Sequence, residues 1–227
     1  MATTTSTTHV DAAKQSIVDA AHRLVQSGVL SRSQHGNISV RLPDGDRFIL
    51  TSGGTLDSLT PNDLAVLDLQ GKVLEGDMHP MAAEIIQMHA AVYRKRSDVN
   101  SVIHTHSPYV TAFAIAGREI PTAYEAMVRF DFTEPVPVAR YGPRGSDKSV
   151  SNIIDVVGSH TKAVLLENHG LLAFDTDINR TVHDIMVLEE SAEIILLADG
   201  IGGAKPIPRE MVQATNERRD QFGGARP

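Results

Sequence analysis

The chain has 227 residues, of which 41% are hydrophobic and 22% are charged. These are the proportions of an ordinary globular domain, which argues against a disordered or fibrous chain. The 21 Lys and Arg residues and 28 Asp and Glu residues give a net charge of −7, which disfavours adhesion to nucleic acid or to an anionic membrane. Cysteine is absent, so disulfides, iron–sulfur clusters and cysteine nucleophiles are excluded, and a metal would need His, Asp or Glu ligands.

The two ends of the chain differ from its middle. Residues 1–10 lack the basic and apolar regions of a secretory signal and the arginines of a transit peptide. We expect a disordered polar tail there, one domain over residues 11–205, and a C-terminal helix or tail over residues 206–227. No apolar run approaches the about 18 residues that a membrane-spanning helix needs. The sequence therefore predicts a cytoplasmic protein without a membrane partner.

The first half of the chain contains one helix and two hairpins. Apolar residues at three- and four-residue spacing predict a helix from Asp11 to about Ser27, with Gly28 at its C-cap. Alternating β-branched residues then predict four strands. The two predicted hairpin turns are Asp44-Gly45 and Gln70-Gly71. The glycine-rich segment SGGT, residues 52–55, lies between the hairpins.

The second half alternates between helices and strands. The predicted elements are a helix over 81–96, a strand over 100–106, a short helix over 108–117, an edge strand over 134–142, a helix from about 145 to 157, a buried strand over 162–170, a short strand over 171–174, and the longest helix over 178–199. Pro135 and Pro137 place the strand over 134–142 at an edge, because proline cannot donate to a ladder. The pattern predicts a mixed α/β fold, with helices packed on a largely antiparallel sheet.

Two histidines stand out in the strand over 100–106. His104 and His106 are two residues apart, so their side chains share one face of the strand, with Cα atoms about 6.6 Å apart. That arrangement suits two imidazoles on one metal ion, although two strand histidines hydrogen-bonded to their neighbours would look the same. His169 follows a buried strand at a strand-to-loop corner, and three imidazoles with an open position make a catalytic zinc site that also suits Mn, Co or Fe(II).

Glu84 is the candidate proton carrier. It lies in the helix over 81–96 among Ala82, Ala83, Ile85 and Ile86. Local sequence favours a position on the helix surface. If Glu84 instead faced a metal, burial would raise the pKa of its carboxyl group and the nearby cation would lower it. The balance of the two effects could give a pKa suited to proton transfer.

These segments together resemble a known family. GNIS, LTSGG, LTPNDL, the Glu84 helix, VIHTHS and ENHG occur in that order between residues 11 and 200. The chain is similar to the class II aldolase/adducin family, which includes fuculose-phosphate aldolase and ribulose-phosphate 4-epimerase. The resemblance implies a central antiparallel sheet between helix layers, and a cyclic homotetramer with active sites at subunit interfaces.

The resemblance also assigns roles to individual residues. It maps the divalent metal, zinc first and Mn, Co or Fe otherwise, onto His104, His106 and His169. It maps the acid/base carboxylate, sometimes a fourth ligand, onto Glu84. Three residues match the family's phosphate-binding loops, and they are Asn37, Ser52 and Gly53.

The departures from the family concern the substrate. Phosphate-using members usually carry two serines before the glutamate, where this chain has Ala82 and Ala83. His35 stands where sugar aldolases have a small residue; it could hold a carboxylate or cap a strand. The family tyrosine is not matched cleanly, since Tyr124 is one position off and Glu125 occupies the expected place. Candidate carboxylate-binding arginines follow at Arg129, Arg140 and Arg144.

We therefore expect a metal-dependent carbon–carbon lyase, a decarboxylase or a retro-aldolase, in which metal-stabilised enolate chemistry acts on a small oxo- or hydroxycarboxylic acid without phosphate. The alternative is a sugar-phosphate aldolase or 4-epimerase. A metal-dependent dehydratase or oxygenase is less favoured, and so is a non-enzymatic adducin-like module, because the three histidines and Glu84 are all present. We interpret His89 as helix packing, and His79 has no partner at an informative spacing.

Overall fold

The computed structural model describes residues 2–221, with side chains from His9 onward. Its seven α-helices and eight strands are α1 Ala2–Ser27, β1 Gly36–Arg41, β2 Arg47–Thr51, β3 Leu64–Asp68, β4 Val73–Glu75, α2 Ala83–Lys95, β5 Ser101–Thr105, α3 Pro108–Ile115, α4 Glu125–Arg129, β6 Val138–Ala139, α5 Asp147–Val156, β7 Ala163–Leu166, β8 Gly170–Asp175, α6 Ile178–Asp199 and α7 Arg209–Gln221. Two 3₁₀ turns, Leu56–Ser58 and Pro61–Asp63, lie between β2 and β3. No described helix is long and apolar enough to cross a membrane.

One sheet organises the fold. Its strand order is β4-β3-β2-β1-β5-β8-β7-β6, and every pair is antiparallel except β6 with β7. The predicted turns form as expected, with Gly45 and Gly71 at φ 81° and 90°. The edge strand predicted over 134–142 is present only as the two-residue strand β6, which begins directly after Pro137 and does lie at the edge of the sheet.

Each face of the sheet packs against its own helices. On one face Ile38, Ile49 and Ile103 join a core with α1, α3 and α6. On the other face Phe48, Val102 and other strand residues join a second core with α2 and α5. Alternate strand residues serve opposite faces, which accounts for the apolar runs of the central strands. The predicted fold class, helices on both sides of a mainly antiparallel sheet, is confirmed.

Several boundaries differ from those predicted. The first helix begins at Ala2 instead of Asp11, and with 26 residues it exceeds the 22-residue α6, so the expectation that α6 is the longest helix is wrong. Polar threonines gave no apolar periodicity from which this extension could be predicted. Of the tail expected at residues 1–10, only Met1 lies outside the described residues. Of the C-terminal segment expected at residues 206–227, only residues 222–227 lie outside them. Helix α4 was not predicted, because five residues are too few to show a period.

Candidate active site

Three histidines converge where β5 and β8 run side by side. His104 lies in β5 and His106 one residue beyond its end, since β5 stops at Thr105 and not at residue 106. His169 lies in the tight turn between β7 and β8. One ligand atom from each imidazole lies within 4.8 Å of the other two. The fold therefore brings together the three residues predicted as metal ligands.

The β7–β8 turn has a local sequence that allows this approach. Asn168 takes a left-handed backbone, with φ 58°, a conformation that asparagine tolerates better than most residues. Gly170 opens β8 against β5, and a Cβ there would lie 2.5 Å from the Thr105 carbonyl oxygen and 3.2 Å from the His106 ring. Glycine is needed after His169 because no side chain fits between the two strands.

Backbone carbonyls orient two of the rings. The Nδ1–H of His104 donates to the Leu171 carbonyl at 2.7 Å, and that of His106 donates to the His35 carbonyl at 3.2 Å. In each ring the proton on Nδ1 leaves the Nε2 lone pair free. Metal-binding histidines characteristically use their second nitrogen in this way. The donor set therefore fits a divalent metal ion better than a pair of structural histidines.

The three imidazoles are neutral at physiological pH. Burial lowers the pKa of His104 well below 6.5, and the neighbouring His169 and His106 lower it further. Burial also lowers the pKa of His106 and brings the pKa of His169 to about 4, with His106 and Arg144 adding to the effect. Neutral imidazole is the form that binds a metal.

A cleft of about 340 Å³ adjoins these histidines through His35. Its lining combines glycines, two histidines, an arginine, three uncharged polar residues and three apolar ones: His35, Gly36, Asn37, Thr51, Gly53, Gly54, Thr55, His79, Met81, Ala82, Ile85 and Arg144. Of the predicted anion-binding residues, His35, Asn37 and Gly53 line the cleft. Ser52 does not; its amide donates to the Asp63 carbonyl at 2.8 Å, and its carbonyl accepts from the His79 amide at 2.9 Å.

Glu84 lies in the first turn of α2, with 49% of its side chain exposed. Its Oε2 is 3.2 Å from Nε of Arg144, and the Arg144 Nη2 donates to the Met81 carbonyl. The same guanidinium lowers the pKa of both His106 and His169. Arg144 therefore links Glu84 to the cleft, and its charge adds to the effects that keep His106 and His169 neutral.

The other candidate substrate residues lie elsewhere. Tyr124 packs against the core on the α6 side of the sheet, and Glu125 and Arg129 are exposed on α4. The Arg140 carbonyl accepts from Asn152. None of these four lines the cleft, whereas Arg144 does.

His79 is a cleft residue that the sequence did not reveal. Its Nδ1 accepts the Met81 amide proton at 3.3 Å, so its Nε2 carries the ring hydrogen. It stands outside any helix or strand, where spacing carries no information about proximity. His89, by contrast, is fully buried in α2, where both of its ring nitrogens are hydrogen-bonded, one to Ser39 and one to Asn37.

Comparisons with known proteins agree on one family. The model described as "Class II Aldolase and Adducin N-terminal domain" matches residues 15–196. The chain is 30% identical over 214 residues to 5-deoxy-D-ribulose 1-phosphate aldolase of Bacillus thuringiensis, covering 92% of this chain and 96% of the relative. It is 29% identical over 202 residues to L-ribulose-5-phosphate 4-epimerase of Salmonella paratyphi C, covering 84% and 87%. A solved L-fuculose 1-phosphate aldolase superposes with a TM-score of 0.81 at 26% identity, covering 92% of this chain and 96% of that one.

Proposed function

Because the chain belongs to the class II aldolase and adducin family, we propose that it is a divalent-metal-dependent carbon–carbon lyase. Its substrate is a small oxo- or hydroxycarboxylic acid, cleaved by decarboxylation or by a retro-aldol reaction. The observation that carries this proposal is the convergence of three neutral histidines beside a cleft lined by Arg144, which is also the ion partner of the predicted proton carrier Glu84.

His104, His106 and His169 would hold the metal, with zinc as the first candidate and Mn, Co or Fe suited to the same imidazoles. When bound, such an ion supplies Lewis-acid polarisation of a substrate oxygen. The chain's own contribution is to keep the three rings neutral and to fix two of them by hydrogen bonds to backbone carbonyls.

The cleft residues bind and orient the substrate. Arg144 can form paired hydrogen bonds with a carboxylate, and His35, Asn37 and His79 surround the same space. Glu84 forms an ion pair with Arg144 and is not itself among the residues that line the cleft. We assign it the proton transfer that follows bond cleavage, because half of its side chain is accessible and its ion partner can be exchanged for a substrate carboxylate.

The lining supports a carboxylate over a phosphate. Ala82 presents a methyl group to the cleft and cannot donate a hydrogen bond. Each unsatisfied acceptor oxygen of a phosphate in a partly closed site costs about 1–3 kcal/mol. A planar carboxylate needs fewer donors, and Arg144 supplies two of them.

The second candidate is a sugar-phosphate aldolase or 4-epimerase. It is favoured by the named activities of relatives that match most of this chain at 29–30% identity. Under this alternative, His79 and Arg144 would replace the missing serine hydroxyls.

The deciding experiment compares kcat/KM for the zinc-loaded protein on two panels of substrates. One panel holds 3-oxo acids and 4-hydroxy-2-oxo acids; the other holds fuculose 1-phosphate, ribulose 5-phosphate and 5-deoxyribulose 1-phosphate. We expect at least one acid to exceed every phosphate ester. An Ala82→Ser variant serves as the matched test of the lining, and we expect it to raise kcat/KM for the phosphates without improving the acids. Phosphate esters turned over at least as well as any acid by the unaltered protein would establish the second candidate.

A further inference from the structure

A chain of four polar side chains crosses the core between the sheet and α2. Asn37 and Ser39 are two residues apart on β1, so their side chains lie on the same face of the sheet. His89 and Tyr93 are four residues apart on α2, so their side chains lie on the same face of the helix. Ser39 and His89 are fully buried, Tyr93 is 1% exposed and Asn37 is 8% exposed. Such groups are costly to bury unless their hydrogen bonds are made, and here they are made to one another.

The distances define a continuous series. The Tyr93 hydroxyl lies 2.7 Å from Ser39 Oγ, Ser39 Oγ lies 2.7 Å from His89 Nδ1, and His89 Nε2 lies 2.5 Å from Asn37 Oδ1. Asn37 also lines the cleft. The series therefore runs from the buried end of α2 to the candidate substrate site.

The chemistry of each group sets the direction of these bonds. An amide oxygen can only accept, so His89 donates through Nε2. Burial lowers the pKa of His89 to about 3, so the ring is neutral and carries one proton. Its Nδ1 must then accept from the Ser39 hydroxyl, which in turn accepts from the Tyr93 hydroxyl. Once its oxygen is engaged inside the core, Asn37 keeps only its NH₂ group for the cleft.

We infer that His89 is a positioning residue: it holds the Asn37 carboxamide with its oxygen in the core and its NH₂ group available to an anionic oxygen in the cleft. A free carboxamide can turn over and present its oxygen, which would repel a carboxylate or phosphate. This inference rests on the proposed function in so far as the cleft binds an anion. It assigns the orientation of the donor to a residue that does not itself line the cleft.

The test compares two substitutions that keep different halves of the imidazole. In His89→Gln the side-chain amide reaches the position of Nε2 and can still donate to Asn37. In His89→Asn the shorter amide reaches only the position of Nδ1, so the contact with Ser39 is kept and that with Asn37 is lost. Val92→Ala is the matched control, since Val92 is fully buried on the same helix and is not one of the four residues in the series.

The probes are inorganic phosphate and glycolate, titrated into the zinc-loaded protein. We expect His89→Asn to weaken binding of both about tenfold, the effect of one misplaced hydrogen-bond donor to a charged group. His89→Gln and Val92→Ala should stay within about threefold of the unaltered protein. Equal affinity in His89→Asn and the unaltered protein, or equal weakening in all three variants, would overturn the inference.

A second measurement separates this inference from the proposed function. Long-range ¹⁵N–¹H correlation of the His89 ring reports which nitrogen carries the proton, with no ligand present. We expect a proton on Nε2; a proton on Nδ1 would reverse the series and refute the positioning role. If the unaltered protein binds neither anion, the proposed anion cleft fails. If it binds them and His89→Asn makes no difference, only the role of His89 fails.

Discussion

Replacing Gly170 by Ala should weaken the proposed metal site although none of the three histidines is itself replaced. The added Cβ would lie 2.5 Å from the Thr105 carbonyl oxygen, 3.2 Å from the His106 ring and 3.5 Å from the His104 ring. Carbon–oxygen contacts close at about 3.3 Å, so β5 and β8 must separate by about 0.8 Å. That separation moves His104 and His106 relative to His169, because the first two follow β5 and the third adjoins β8.

Two known effects set the expected losses of stability and of metal affinity in Gly170→Ala. Overpacking of this kind costs about 1–3 kcal/mol of stability, and disturbed support of metal ligands costs about 10–100-fold in metal affinity. The assay is zinc competition against a calibrated chelator, with thermal unfolding of the metal-free protein alongside. Gly158→Ala is the control, since a Cβ there meets only Thr161 Oγ1 at an ordinary 3.5 Å. Zinc affinity within threefold of the unaltered protein, together with an unchanged melting temperature, would refute the reasoning.

Four further predictions concern the site and the assembly. Alanine at His104, His106 or His169 should abolish stoichiometric zinc binding in elemental analysis, because the two remaining imidazoles hold a divalent ion poorly. Full zinc occupancy in all three variants would refute the assignment of these histidines as metal ligands. Glu84→Gln should retain zinc but lose about 10²–10⁴-fold in kcat, and near-normal turnover would make Glu84 a surface residue. His89, with a pKa of about 3 when folded and 6.5 when unfolded, binds a proton only in the unfolded chain between those values. The metal-free protein should therefore lose stability as the pH is lowered from 6.5 towards 3, by about 1.4 kcal/mol per pH unit more than His89→Gln does; identical slopes would contradict the buried neutral ring. Light scattering should give about four times 24.5 kDa for a cyclic homotetramer, and an active monomer at low micromolar concentration would contradict it.

The sequence predicted the parts of the site that a regular element positions. His104 and His106 could be placed together because the strand was predicted to run through residue 106 and a strand has a period of two. Their ring centroids do lie 4.6 Å apart, although β5 ends at Thr105. His169 joined them through the family motif rather than through any spacing of its own.

The cleft could not be assembled in the same way. His79 and Arg144 lie in irregular segments, where distance along the chain says nothing about distance in space. Ser52 was expected at the anion site because of its loop; it is not among the residues that line the cleft, and its role in anion binding stays a prediction. The series of hydrogen bonds behind Asn37 could not be predicted either. From the sequence, His89 on an apolar helix face indicates only packing, because its partners on β1 are distant along the chain.

The site divides between two kinds of scaffold. The imidazoles stand on or beside paired strands and on a turn that is followed by Gly170, where no side chain fits. Most of the cleft, by contrast, comes from the loop at residues 53–55, the approach to α2 and the segment before α5. If the proposed function holds, substitutions in those loops alter which molecule is accepted while leaving the three histidines in place. A lineage built on this plan can therefore exchange one substrate for another by changing loop residues such as His79 and Ala82, and its members should share their metal chemistry more widely than their substrates.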